Sequence, residues 1–149
     1  MKAKEKTGVS GRIKIDITNI DTGLTETIKI KNLVVDTGLD ALVELLRGAG
    51  TGVNEVTDIG YGTDNTAAAA GDTTLTGLFS KTIDGSSNVG TGEIEILGSL
   101  ATGENNGVTI QEIGLFQDGG DLFSRAVISP IVKTSSITVG VTWTITITV

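Results

Sequence analysis

The plainest pattern lies at the end of the chain, where Ile137, Val139, Val141, Trp143, Ile145, Ile147 and Val149 hold the odd positions and Thr138, Gly140, Thr142, Thr144, Thr146 and Thr148 the even ones. A helix cannot sort those two sets. A strand sends alternate side chains to opposite faces, so the pattern predicts a strand with one apolar face and one threonine face. A slip of one residue would invert the faces, which ties the strand to a single register.

The same period runs near the start. Arg12-Ile13-Lys14-Ile15-Asp16-Ile17-Thr18 alternates, the stretch from Asn19 to Gly23 supplies turn residues, and Thr25 to Lys31 alternates again. Residues 9–35 therefore read as a β-hairpin. Beyond Val35 the spacing becomes helical: Leu39, Leu42, Val43 and Leu46 predict one short amphipathic helix near residues 38–47 that buries those four side chains. Asp36 or Thr37 is placed to cap its start, and Gly48 to end it in the left-handed conformation.

From Gly48 to Gly92 the chain is mostly small and polar, with short strands expected near residues 55–62 and 78–83 and a long loop through Ala67–Gly71 between them. Further strands are expected at Glu93–Leu100, Val108–Phe116 and Leu122–Ile131, the last meeting Pro130 near its end, where proline is tolerated. Short strands separated by Gly- and Thr-rich turns predict an all-β fold, an antiparallel β-sandwich with jelly-roll-like order as the finer expectation. Residues 1–8 read as a flexible basic arm and residues 9–149 as one β-sandwich domain.

Composition narrows the chemistry. At 149 residues the chain has the length of one domain, and with Phe 3, Tyr 1 and Trp 1 its core must rest on Ile, Val and Leu. Cys 0 and His 0 remove disulfides, the usual ligands of zinc, copper and haem, and the commonest acid/base catalyst. No cofactor is expected. No apolar run of membrane-spanning length or secretory leader is read, so the expectation is a soluble chain used without export and without a membrane partner.

The net charge of −7 argues against nucleic acid as a partner. The charge is unevenly placed. Lys2, Lys4, Lys6, Arg12, Lys14, Lys29 and Lys31 all fall within the first 31 residues, against Glu5, Asp16, Asp21 and Glu26. Such cations either form the solvated face of two edge strands, with Lys blunting the edge, or a basic arm that docks on an acidic neighbour in an assembly.

Other groups with possible chemistry each have a simpler structural role. Glu93 and Glu95 share one face of a strand as an acid/base pair would, or as a solvated polar face would. Asp118-Gly-Gly-Asp121 has carboxylates for a cation but the spacing of a hairpin turn. Gly60-Tyr61-Gly62-Thr63 lacks the lysine of a phosphate-binding loop. Ser80, Ser124 and Ser129 have no histidine to activate them, and nothing in the spacing favours pairing with Lys81 or Lys133. Trp143 belongs to the core face of the last strand. No enzymatic activity is expected.

Several spaced blocks carry a resemblance. Lys31-Asn-Leu-Val-Val-Asp-Thr-Gly-Leu-Asp-Ala-Leu-Val-Glu-Leu-Leu-Arg-Gly48, Ile59-Gly-Tyr-Gly-Thr-Asp-Asn-Thr-Ala-Ala-Ala-Ala-Gly-Asp-Thr-Thr-Leu75, Ile110-Gln-Glu-Ile-Gly-Leu-Phe116, Leu122-Phe-Ser-Arg-Ala-Val-Ile-Ser-Pro130 and the closing Thr-Trp-Thr strand follow one another in order. Together they resemble a family of small virion structural proteins of tailed bacteriophages and related proviruses, of the head-decoration or tail-fibre-associated type. The resemblance implies no catalytic residues. It implies a place in the virion after assembly in the host cytoplasm, most simply as a trimeric decoration (cement) protein on the major capsid protein, with a tail, baseplate or fibre component as the alternative. A carbohydrate-binding surface module, which β-sandwiches often are, is a further alternative of a different class. The residues expected to meet the partner are Lys2, Lys4, Lys6, Arg12 and Lys14 in the basic segment, and Asp64 and Asn65 in the loop from Thr63 to Thr74.

Overall fold

The structure, a computed structural model, describes residues 8–48 and 55–148. The expected hairpin is formed by β1 (Gly8–Asn19) and β2 (Thr25–Val34), paired antiparallel from Gly11 against Asn32 to Thr18 against Thr25. Its turn is made as the sequence suggests. Asn19 Oδ1 accepts the N–H groups of Asp21 and Thr22, and Gly23 takes a positive φ of 71°.

Helix α1 (Asp36–Arg47) follows, then β3 (Val56–Gly62), β4 (Phe79–Thr82), β5 (Gly85–Gly90), β6 (Glu93–Leu100), β7 (Thr109–Gln117), β8 (Leu122–Val132) and β9 (Ile137–Thr148). Every pairing is antiparallel. An antiparallel β fold with one short helix is therefore what the chain adopts. The strands form one sheet in the order β4-β3-β7-β8-β2-β1-β9-β6-β5, curled into a half-barrel, where the sequence led us to expect two stacked sheets.

The curl has an identifiable hinge. Most of β2 pairs with β1, but its last residues, Leu33 and Val34, pair with Arg125 and Ser124 of β8. One strand thus belongs to both halves. At the far ends, Ile83 and Asp84 join edge strand β4 to edge strand β5, with Ile83 N–H donating to Thr57 and Asp84 N–H to Leu97. The two halves face one another across a single core. A side chain on Gly98 of β6 would run into Ile59 of β3.

The core has the composition the periodicity predicts. Ile13 and Ile15 of β1, Val139, Val141, Trp143 and Ile145 of β9, and Ile96 and Leu100 of β6 meet Ile59, Tyr61, Ile113, Leu115, Ala126 and Ile128 of the other half. Trp143 is completely buried. Pro130 lies in β8 beyond the residues paired with β2 and within the break in its register with β7, so the N–H it lacks is missing where neither neighbour has a paired residue.

Two local expectations are corrected. Strand β5, Gly-Ser-Ser-Asn-Val-Gly, has no apolar alternation and was expected as loop; it becomes a strand because β6 offers it a ladder. The helix also presents a different face. Gly38 and Ala41 are its buried residues and Leu42 is half-buried, while Leu39, Val43 and Leu46 are 45, 53 and 90 % exposed. Small side chains win the sheet-facing position because α1 lies close on the β8 backbone: a Cβ on Gly38 would collide with the Phe123 carbonyl oxygen. Neither expected cap acts as one, since Val35 is the N-cap without a side-chain bond and Thr37 Oγ1 donates to the Leu122 carbonyl instead. Gly48 does end the helix, at φ 66°.

This packing sets a contrast between two substitutions. Gly38→Ala should cost about 1–3 kcal/mol by overpacking against β8, whereas Leu46→Ser should change stability by no more than about 0.5 kcal/mol. Urea titrations of both variants check this, and the reverse order would mean that the helix sits on its Leu39–Val43–Leu46 face.

Candidate interaction surface

The outer faces of the two halves are built differently, and the difference starts with two charged residues inside apolar strands. Glu112 interrupts Ile110–Phe116 on β7, and Arg125 interrupts Leu122–Ile128 on β8. Both are buried, at 1 % and 3 % exposed. Arg125 Nε lies 2.7 Å from Glu112 Oε2, Nη1 lies 2.9 Å from Asp72 Oδ2, and Nη2 lies 3.4 Å from Asp64 Oδ2 and 2.9 Å from the Thr66 carbonyl. Glu112 Oε1 accepts the N–H groups of Asp64 (3.1 Å) and Thr76 (2.7 Å).

These bonds clamp the loop from Thr63 to Leu78 across β3, β7 and β8. Gln111 Nε2 donates to the Thr63 carbonyl, and Asp36 N–H at the start of α1 donates to the Ala70 carbonyl. Leu75 seals the cover by packing with Val35, Phe116 and Leu122 in a small second core. Glycines make room for it: a Cβ on Gly62 would meet the Glu112 side chain, and one on Gly114 would meet Leu122.

Asp64 is thus a structural residue of the loop as well as a candidate contact. Its Oδ1 accepts from the Thr66 N–H and hydroxyl, and these bonds, with the Arg125 charge behind them, hold its carboxyl below the usual range. Asn65 beside it is exposed.

The other half keeps its outer face open. The register places Glu95, Thr144, Arg12 and Lys31 in one row across β6, β9, β1 and β2, and Leu97, Thr142, Lys14 and Lys29 in the next. Four cations on two adjacent strands thereby form a two-by-two block over a shallow groove floored by Thr142 and Thr144. Thr144 is only 6 % exposed. Like charges directly opposite each other, Arg12 against Lys31 and Lys14 against Lys29, repel.

The block is partly countered from its margins. Arg12 lies 3.6 Å from Glu93, which also accepts from Thr146 Oγ1, and Lys14 lies 3.4 Å from Asp16. The Thr27 hydroxyl, and then Lys14, hold the Asp16 carboxyl below its usual range. Lys29 and Lys31 make no ion pair among the described residues. Arg12 and Lys14 are therefore brought together with two further cations that were noticed in the sequence only as part of a basic segment. Lys2, Lys4 and Lys6 lie outside the described residues.

The remaining candidates fall into structural roles. Glu93 faces Arg12, so Glu93 and Glu95 flank the basic rows. Asp118–Asp121 is a hairpin turn, with Gly119 and Gly120 at positive φ and Gln117 N–H bonded to Asp121. Gly60-Tyr61-Gly62 lies within β3. Lys81 is bonded to Glu104 and the Ser99 carbonyl, and Lys133 to Asn106, rather than to Ser80, Ser124 or Ser129. An apolar hollow of about 570 Å³ opens between α1, β5, β6 and β9, lined by Leu42, Leu45, Ile94, Ile96, Ile145 and Ile147. Among the described residues no helix is long and apolar enough to cross a membrane, and no group of three or more carboxylates is gathered as a metal site.

Arg125 and Glu112 went unmarked in the sequence as a pair. The signal was present, because each is a lone charge of opposite sign in the middle of an apolar strand.

Arg125→Leu should destabilise the fold by about 3–5 kcal/mol, since Glu112 is left buried and unpaired, and Arg125→Leu with Glu112→Leu should recover part of that loss. Acid should loosen the loop in the same direction. The depressed Asp64 carboxyl stabilises above its unfolded pKa and loses that contribution as pH falls through the folded one. Proteolytic cutting within residues 63–78 should stay flat at neutral pH and rise only below about pH 4. Equal stability of the single and double leucine variants would show that the pair is not compensated as described.

No family model, no curated protein and no solved structure matches this chain.

Proposed function

We propose that this chain is a non-enzymatic virion structural protein, a capsid decoration (cement) protein that binds the outside of the shell through the open face of β1, β2 and β9. The observation that carries the reading is the block of Arg12, Lys14, Lys29 and Lys31 on a chain whose net charge is −7. A basic face on an acidic protein selects an acidic partner surface and orients the approach to it. The repulsion stored between opposing cations is relieved when such a surface arrives, so the face gains more from an acidic partner than scattered lysines would.

The outer face of the other half is occupied by its own loop and contributes rigidity. The two halves, facing each other over one core, do the packing work of a β-sandwich, and that is the sense in which we keep the sandwich reading. Contacts repeated over a lattice give avidity that no single site needs to supply. The exposed Leu39, Val43 and Leu46 suit association with further copies of the chain, for which we keep the trimer as the expected state. A carbohydrate-binding role is disfavoured by the aromatics: Trp143, Tyr61, Phe116 and Phe123 are all at most 4 % exposed and Phe79 is half-buried against the core, so no group of aromatic faces forms a platform for a sugar.

Binding to undecorated capsids should saturate near one site per lattice position and raise their melting temperature. Replacing Arg12, Lys14, Lys29 and Lys31 together by Glu should weaken that binding at least about tenfold, and salt should weaken the native chain in the same direction. Saturation at a few copies per particle would place the chain on the tail instead. Unchanged affinity of the charge-reversed variant would remove the basic face from the interface.

A further inference from the structure

At the base of the half-barrel, away from the basic face, lies a cluster that the reading above leaves unused. Lys133 follows β8 directly and its residue surface is 0 % exposed, a rare state for a lysine. Its Nζ donates to Asn106 Oδ1 at 2.8 Å and to the Thr134 carbonyl at 3.1 Å. Asn106 is held from its other side, with Nδ2 donating to the Thr102 carbonyl at 2.8 Å. Between the same residues, Gly107 N–H donates to the Lys133 carbonyl and Lys133 N–H to the Val108 carbonyl. Amine and amide are thereby fixed in contact by four bonds from their surroundings.

A carboxylate acts on the amine from beyond ion-pair distance. Glu104 accepts from Lys81 Nζ at 2.8 Å and from the Ala101 N–H at 2.7 Å, and these keep it ionised. Its charge reaches Lys133. Burial acts against that charge and lowers the pKa of the Lys133 ammonium, which favours the neutral amine.

We propose that Lys133 and Asn106 form an intramolecular isopeptide bond. Because a C=O bond is about 1.2 Å long, Nζ already lies within about 4 Å of Asn106 Cγ, and a small side-chain rotation brings it to attack distance. The Nζ lone pair adds to Cγ, and a C–N bond forms. A proton passes from Nζ to Nδ2 through the solvent that reaches exposed Asn106, the Cγ–Nδ2 bond breaks, and ammonia leaves. One amide replaces another, so the step needs no oxidant, reductant or cofactor. An amide is a poor electrophile, and what compensates is the high effective molarity of an amine held in contact with it. The product ties the end of β8 to the β6–β7 loop across 27 residues of chain, a covalent clasp suited to a protein under mechanical load.

Intact mass spectrometry of the folded full chain tests this. The expected mass is about 17 Da below that of the sequence, one ammonia, and a digest should contain a branched peptide joining Lys133 to Asn106. Lys133→Met and Asn106→Ala, the second on an exposed loop, should both have the full sequence mass, with near-ultraviolet circular dichroism of Trp143 reporting that they fold. A native chain at full mass after prolonged incubation overturns the proposal. So does a deficit that survives in Lys133→Met, because Asn106-Gly107 could then have closed to a backbone succinimide instead.

Discussion

The fold depends on how it keeps Arg125 buried. An unpaired guanidinium under a loop would cost several kcal/mol, and this one is held by Glu112 and Asp72, with Asp64 and the Thr66 carbonyl completing its shell. Loops as long as the segment from Thr63 to Leu78 are ordinarily mobile. Here the loop supplies the carboxylates and carbonyl that the arginine needs, and Glu112 in return takes two of its N–H groups. Removing either partner would loosen the cover that Leu75 and Val35 form with Phe116 and Leu122. The pair serves less as a source of net stability than as the means of setting one conformation for a stretch of small polar residues.

That constraint divides the labour between the halves. The half built on β3, β7 and β8 uses its outer face internally, and the half built on β1, β2, β9 and β6 leaves its outer face open to solvent. Strand β2 couples them, since it carries Lys29 and Lys31 on one stretch and pairs with Arg125 and Ser124 at its end. A basic face held on a rigid, curled sheet would lose little entropy on docking, which suits the proposed binding to many identical sites.

Much of this was legible in the residues. Two-residue alternation identified β1, β2 and β9 with their inner faces, because burial on one side of a strand leaves a record at every second position. Strand β5 left none: Ser86, Ser87 and Asn88 are in a strand only because β6 lies beside them. The helix misled in another way. Leu39, Val43 and Leu46 form a stripe as strong as any core face, yet Gly38 and Ala41 take the sheet side, since the close approach to Phe123 leaves room for nothing larger. The single curled sheet depends on the last two residues of β2 changing partner, which no periodicity encodes. Of the candidate surface, Arg12 and Lys14 were visible as members of an alternating strand, but their union with Lys29 and Lys31 required the register. Asp64 was chosen as a contact for its polarity, and the role the structure gives it, beside a buried arginine, could have been inferred only by asking what Arg125 pairs with.

The most direct test is hydrogen exchange at the two loop amides that Glu112 accepts. If the buried pair governs the loop, the N–H groups of Asp64 and Thr76 exchange as slowly as the ladder amides of β7 and β8, through the same opening. Exchange at the rate of an exposed loop, with β7 and β8 still protected, would contradict it.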